Sequence, residues 1–208
     1  MKQQQGLSLI ELMIALLISS LLILGAVQLF SNTSASDRTN TAIARVQENG
    51  RVALEIIGAD ARRAGYQGCS SAANSLTIGT LAFPDHAVQA SDKSITFNYA
   101  TTENTGTAFG TNKTCDDVGL YLKSVTYSQC ANGTSICMNG DPILDNSVIT
   151  AIEFGVSSAG NTIWKESADI SAAQLADTRS VRITLTISDA RNQVSRTFAN
   201  TYELRNRL

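Results

Sequence analysis

The sequence predicts an α+β protein: one long N-terminal helix packed on a C-terminal antiparallel β-sheet. Three observations carry this. An apolar run begins at Leu7, and no proline interrupts the chain before Pro84. Apolar residues then recur at spacings of three and four from Ile43 to Ala64, which is the period of a helix. Beyond residue 90 the apolar period falls to two, as in half-buried strands.

The first element runs from Leu7 to about Phe30. Between Leu7 and Leu29 the chain has one glycine, Gly25, and one charge, Glu11. About 20 such residues cross a bilayer as a helix, and an ionisable group inside that span is costly and by default functional. A secretory signal fits less well. Its apolar core is about 7–15 residues long and is followed by a small-residue cleavage site. Here the core is longer, and the distinctive small residue, Gly6, precedes it. That order places cleavage ahead of the apolar segment, which is retained.

These residues carry a resemblance. Gly6-Leu7-Ser8-Leu9-Ile10-Glu11-Leu12 resembles the class III signal of type IV pilins and pseudopilins. The resemblance implies that prepilin peptidase cuts between Gly6 and Leu7 and that Leu7 becomes the N-methylated first residue. Glu11 is then the fifth mature residue, with an assembly role. The family usually has phenylalanine where this chain has Leu7.

The helix continues past the span. Ile43, Val46, Gly50, Leu54, Ile57, Ala61 and Ala64 form one apolar stripe, with Arg45, Glu48, Arg51, Glu55, Asp60, Arg62 and Arg63 mostly off it. Gly65 is placed to end the helix. Ser31 to Ser36 are poor helix formers, read as helix held by context, bent or melted. A continuous helix from Leu7 to Ala64 would be about 87 Å long at 1.5 Å per residue. Gln47-Glu48-Asn49-Gly50-Arg51-Val52-Ala53-Leu54 and Asp60-Ala61-Arg62-Arg63-Ala64-Gly65-Tyr66-Gln67-Gly68-Cys69 resemble blocks of the PilW family of minor type IV pilins. The resemblance covers the chain as far as Cys69 and is diffuse after it.

The period-two strands follow: Ile95 to Tyr99, Leu120 to Tyr127, Val148 to Val156 and Val181 to Ile187. Asp189 to Gln193 turns the chain and Val194 to Leu204 returns as a hairpin partner. Asp169 to Ala176 reads as a short helix with Asp169 as N-cap. Gly155 to Gly160 reads as a turn, and residues 70–92 and 101–117 read as loops. The divisions expected are a 1–6 leader peptide, a 7–30 transmembrane and assembly segment, a 31–65 second half of the helix and a 66–208 β-rich domain.

Composition narrows the function classes. The net charge of −2 supplies no general basic field for nucleic acid. The four cysteines, Cys69, Cys115, Cys130 and Cys137, lie beyond the apolar span, and an even count in an exported domain indicates two disulfides. Three connectivities are possible. Asn132-Gly133 between Cys130 and Cys137 favours a bridge across a short hairpin loop, which leaves Cys69 to pair with Cys115. Without a Cys-x-x-Cys pair or a second histidine, zinc is disfavoured. His86, the one histidine, reads as a surface residue, and Trp164 as a sheet residue. No catalytic constellation, cofactor or metal motif is visible. Lys2 places the leader in the cytoplasm and the domain in the periplasm.

The resemblance implies a structural role: a minor pilin of the inner membrane that joins other minor pilins in a priming or tip complex of the type IV pilus. The implied partners are prepilin peptidase, other minor pilins, the major pilin and the pilus assembly platform. Twitching motility, adhesion and DNA uptake are the family's wider roles. A minor pseudopilin of type II secretion is the neighbouring reading. A membrane-anchored periplasmic binding module is the reading of another class, and an enzyme is the weakest.

Overall fold

The computed structural model describes residues 8–69, 76–78, 81–83, 86–158, 160–171, 174–175 and 178–204. The chain divides into two compact units, Met1–Ala44 and Arg45–Leu208. Helix α1, Leu9–Arg63, passes through the boundary between them.

In the first unit α1 is unbroken helix from Leu9 onward, including Ser31 to Ser36. It starts where the Ser8 carbonyl accepts the N–H groups of Glu11 and Leu12. Hydroxyls inside this stretch turn back on the helix. Ser19 and Ser20 donate to the carbonyls of Leu16 and Leu17, and Thr39 and Thr41 to those of Ala35 and Asp37. Such back-bonding satisfies a polar side chain without a partner from outside the helix.

In the second unit α1 ends at Arg63, and Ala64 and Gly65 form a turn. Gly65 adopts φ 79° and donates its N–H to the carbonyl of Asn98. The helix therefore ends slightly before the boundary read from sequence, with Gly65 in the left-handed conformation that glycine favours after a helix.

Twelve strands are described: β1 Leu76–Ile78, β2 Leu81–Phe83, β3 Val88–Ser91, β4 Ser94–Thr101, β5 Ala108–Lys113, β6 Gly119–Gln129, β7 Ser135–Met138, β8 Asp141–Asp145, β9 Ser147–Ser158, β10 Asn161–Glu166, β11 Thr178–Ser188 and β12 Ser195–Glu203. They make a β1–β2 ribbon and two larger sheets, all antiparallel. One sheet has the order β3-β4-β6-β7-β8, with β5 also on β6; the other has the order β10-β9-β11-β12.

Both sheets and the second half of α1 share one core. Leu54, Ile57 and Ala61 meet Ile95, Phe97 and Tyr127 of the first sheet and Ile152, Phe154, Ile183 and Leu185 of the second. Gln129 joins the sheets. Its amide nitrogen donates to the carbonyls of Ser135 and Ser147, and its oxygen accepts the N–H of Ile149. The β11–β12 hairpin turns on Asp189, whose carboxylate accepts the N–H groups of Val194 and Arg191. The first of these bonds holds its carboxyl below the usual range.

Three readings from sequence need correction. Residues 70–92 and 101–117 are not loops throughout, since β1, β2, β3 and β5 form within them. Phe83 and Phe109 meet edge to face at 5.1 Å and, with Ala100 and Leu120, build a second small core. Short strands dilute the period-two signal with Gly, Thr and Asn, so their two buried aromatics are what mark them. Gly155 to Ser158 is strand rather than turn, paired with β10. Near residue 170 the cap is Ser171 rather than Asp169: the Ser171 hydroxyl accepts the N–H of Gln174 while the Gln174 amide accepts that of Ser171. This reciprocal arrangement is a capping box.

Candidate functional site

The features singled out for processing lie at the extreme N-terminus. Gly6 and Leu7 fall outside the described residues. Glu11 sits in the first turn of α1. Around it Leu9, Ile10, Leu12, Met13 and Ile14 are each more than half exposed, and the large apolar residues continue exposed to Phe30. An apolar stretch of this length with no buried residue marks a surface that another apolar phase or chain covers. The helix is long and apolar enough to cross a membrane.

In Arg45–Leu208 the helix is fixed by three kinds of contact. The first is a pair of glycine sockets. A Cβ on Gly50 would lie 2.6 Å from the Phe198 ring, and one on Gly58 would overlap the Tyr202 ring. Eight helical residues rise about 12 Å, and four strand residues about 13 Å. Two aromatics four apart on β12 therefore seat on two glycines eight apart on α1. The Tyr202 hydroxyl also donates to the carbonyl of Leu54, and burial pushes its pKa up to about 12. The glycine of the Gln-Glu-Asn-Gly-Arg block is thus a packing residue.

The second contact is a buried carboxylate. Asp60 is 9 % exposed and accepts the hydroxyls of Tyr99 at 2.8 Å and Tyr127 at 2.6 Å, with Arg63 at 3.9 Å. Burial first, and then the Asp60 carboxylate, push the Tyr99 pKa up to about 12 and raise that of Tyr127 further. Sequence patterning placed Asp60 off the apolar stripe. It lies on the buried face and ties α1 to β4 and β6. The available signal was Tyr99 and Tyr127, aromatics with a polar tip on inward strand positions, which need an acceptor when buried.

The third is covalent. Cys69, shortly past the end of α1, is bonded to Cys115, and Cys130 is bonded to Cys137 across the β6–β7 connection. Gly68 holds φ 85° with Leu120 and the Lys113 carbonyl packed where a Cβ would stand. That close approach lets the Cys69 N–H reach the same carbonyl.

The outer face of the four-stranded sheet is polar. Thr150, Thr186 and Thr197 form a hydrogen-bonded row across β9, β11 and β12. At one end the Arg182 guanidinium lies 3.9 Å over the Trp164 ring and 3.4 Å from Glu153. Trp164 is therefore a sheet residue with one ring face already stacked. A groove of about 280 Å³ runs between α1 and β12, lined by Arg51, Leu54, Glu55, Arg62, Ala199, Asn200 and Tyr202. Among the described residues no group of three or more His, Cys, Asp or Glu side chains is placed to hold a metal ion. His86 is exposed, with its Nδ1 beside the backbone of Ala82.

Two family models match this chain. Residues 39–204 match prepilin peptidase-dependent protein B, and residues 1–27 match the prokaryotic N-terminal methylation motif. Neither a curated protein nor a solved structure matches it at a significant level.

Proposed function

Because this chain belongs to the prepilin peptidase-dependent protein B family, we propose that it is a minor pilin of the PilW kind that joins other minor pilins in a priming or tip complex of the type IV pilus. It is a type IV pilin-like protein; the reading as an assembled subunit rests on one observation, and its PilW kind on the resemblance of Gln47 to Leu54 and Asp60 to Cys69. The chain joins a methylation-type N-terminus to a helix whose apolar first half has no buried residue, ahead of a disulfide-bonded sheet domain. Such a chain is incomplete until other helices or lipid cover it.

In this reading the domain is periplasmic, the role is structural and non-enzymatic, and the cut falls between Gly6 and Leu7. Cleavage frees an amine on Leu7 beside Glu11 of the same or a neighbouring subunit. Where water is excluded, a carboxylate facing an amine is strongly preferred to either charge alone. The pair therefore sets axial register between subunits. N-terminal sequencing of the protein from cells with prepilin peptidase checks the processing: the mature chain begins at Leu7, N-methylated, and a start at Met1 or beyond residue 25 overturns the reading. Identification by mass of subunits crosslinked to it in membranes checks the complex. Recovery with type II secretion pseudopilins in place of pilus subunits would move the assignment to that machine.

A further inference from the structure

The four-stranded sheet ends in two open edges, β10 and β12, with no strand beside either among the described residues. Edge strands offer unpaired N–H and C=O groups and are ordinarily blunted by proline, bulges or shortness. In the other large sheet that protection is visible: β8 carries Pro142 and β3 has four residues. Strand β12 has nine residues without proline, and its pairing with β11 has no bulge.

Two properties of these edges match. The first is polarity. All pairings in the order β10-β9-β11-β12 are antiparallel, so β10 and β12 run in opposite directions. A second copy placed alongside in the same orientation brings its β10 antiparallel to β12. The second is the facing of the residues. In an antiparallel strand a residue directs both N–H and C=O to the same side. Leu204 donates to Arg179 and Asp189 to Val194, and this register makes the even-numbered residues of β12 bond β11. Ser195, Thr197, Ala199, Thr201 and Glu203 therefore face the open edge. Ser167 donates to Ile152, so in β10 the odd residues bond β9, and Thr162, Trp164 and Glu166 face its open edge. In both strands the edge-facing residues carry their side chains on the outer face of the sheet, the face where Thr197 and Trp164 lie. Joined edges thus continue the outer face as outer and the helix face as helix face.

We infer that the β12 edge, with the groove beside α1, is a docking site for β10 of a second copy of this chain. With Trp164 of the incoming copy opposite Ala199, its Ile163 lies beside Asn200 and its Lys165 beside Phe198. Ile163 is 48 % exposed in the single chain, and the groove gives it the apolar floor of Leu54 and Tyr202. Lys165 exchanges its bond to Gln174 for the Glu48–Arg51–Glu55 row, which carries two carboxylates to one guanidinium, with Arg62 also lining the groove. Asn200, whose Oδ1 occupies the Thr201 N–H, swings aside. The contact is heterologous and head-to-tail, and it leaves the α1 segments from Arg45 onward parallel, so it does not close as a two-fold dimer. This inference rests on sheet geometry and stands independently of the pilus assignment.

The test uses full-length chains in membranes, one tagged copy bearing Thr162→Cys and a differently tagged copy bearing Thr201→Cys. These positions would oppose each other at about 5.5 Å between Cα atoms, within the range a disulfide spans. All four native cysteines are already paired. Mild oxidation should link the two tagged copies, and neither variant should link to itself. Ala199→Pro removes an edge-facing N–H without touching the β11 ladder, and Ile163→Lys removes the apolar contact; each should abolish the link while native-disulfide mapping stays unchanged. No link between folded copies, a link within one variant, or a link only to a different protein overturns the inference.

Discussion

The two ends of helix α1 solve opposite problems with one backbone. From Leu9 to Phe30 every large apolar residue is exposed, whereas from Val46 to Ala64 the apolar stripe is buried to a few per cent. The same contrast appears in the glycines. Gly25 has nothing within 4 Å of a built Cβ, while Gly50 and Gly58 are each pressed against an aromatic ring. The helix is therefore not a uniform rod. Its second half is specified by the chain's own sheets, and its first half is left to surroundings that the chain does not itself provide.

Matched substitutions break or sharpen that contrast. The largest effect is expected in the core. Ile57 is 1 % exposed, and Ile57→Ala should cost the domain about 2–5 kcal/mol. Ile18 is 52 % exposed, and Ile18→Ala should stay within about 0.5 kcal/mol. Denaturant unfolding of the full-length protein in detergent, followed by near-ultraviolet circular dichroism, separates the two; equal losses would show that the halves are not independent.

Next come the glycines. Gly58→Ala forces the Tyr202 ring aside, at a cost typical of overpacking, about 1–3 kcal/mol, reduced by about 1 kcal/mol of helix propensity. Gly25→Ala meets nothing and gains only the propensity. The melting temperature should fall for the first and hold or rise for the second.

A further effect follows pH. Tyr99 and Tyr202 have pKa values pushed up to about 12 in the folded chain, from about 10 when unfolded. Their stabilisation is complete below pH 10 and is lost as the pH rises through 12, because the unfolded chain gives up its protons first. Stability should fall over that window, and less steeply in Tyr202→Phe. A flat profile between pH 10 and 12 would place these phenols in water.

The smallest expected effect on folding is that of Glu11→Val. It should leave cleavage, insertion and domain stability unchanged and reduce incorporation into sheared pili at matched membrane levels. Wild-type incorporation would remove Glu11 from assembly.

Much of this was legible in the sequence, and the reasons are physical. A long proline-free helix, the β4, β6, β9, β11 and β12 strands and the Asp189 turn each carry a strong local period or turn signal. The short strands β7, β8 and β10 do not, since so few residues, with Asn, Asp or Ser at their ends, carry little period. The glycine sockets were only half visible: Gly50 lay on the stripe, but its meaning depends on Phe198, near the other end of the chain. The role of Asp60 was hidden for the same reason, because a carboxylate on a helix reads as a solvated charge until the tyrosines that bury it are placed.

The Cys69–Cys115 bond has a mechanical consequence. Tension applied to α1 and to any point beyond residue 115 travels through the sulfur bridge, so residues 70–114, with strands β1 to β5, lie outside the load path. A pull that unravels the chain can lengthen it only by the residues before Cys69 and after Cys115, less those that the Cys130–Cys137 bridge closes off in the same way. The bridged positions are separated by 46 in sequence. Reduction releases that slack, about 150 Å of contour at ~3.3 Å per extended residue. The bridge is a covalent bypass that lets a small domain bear force through its helix terminus while the strands behind it stay unloaded.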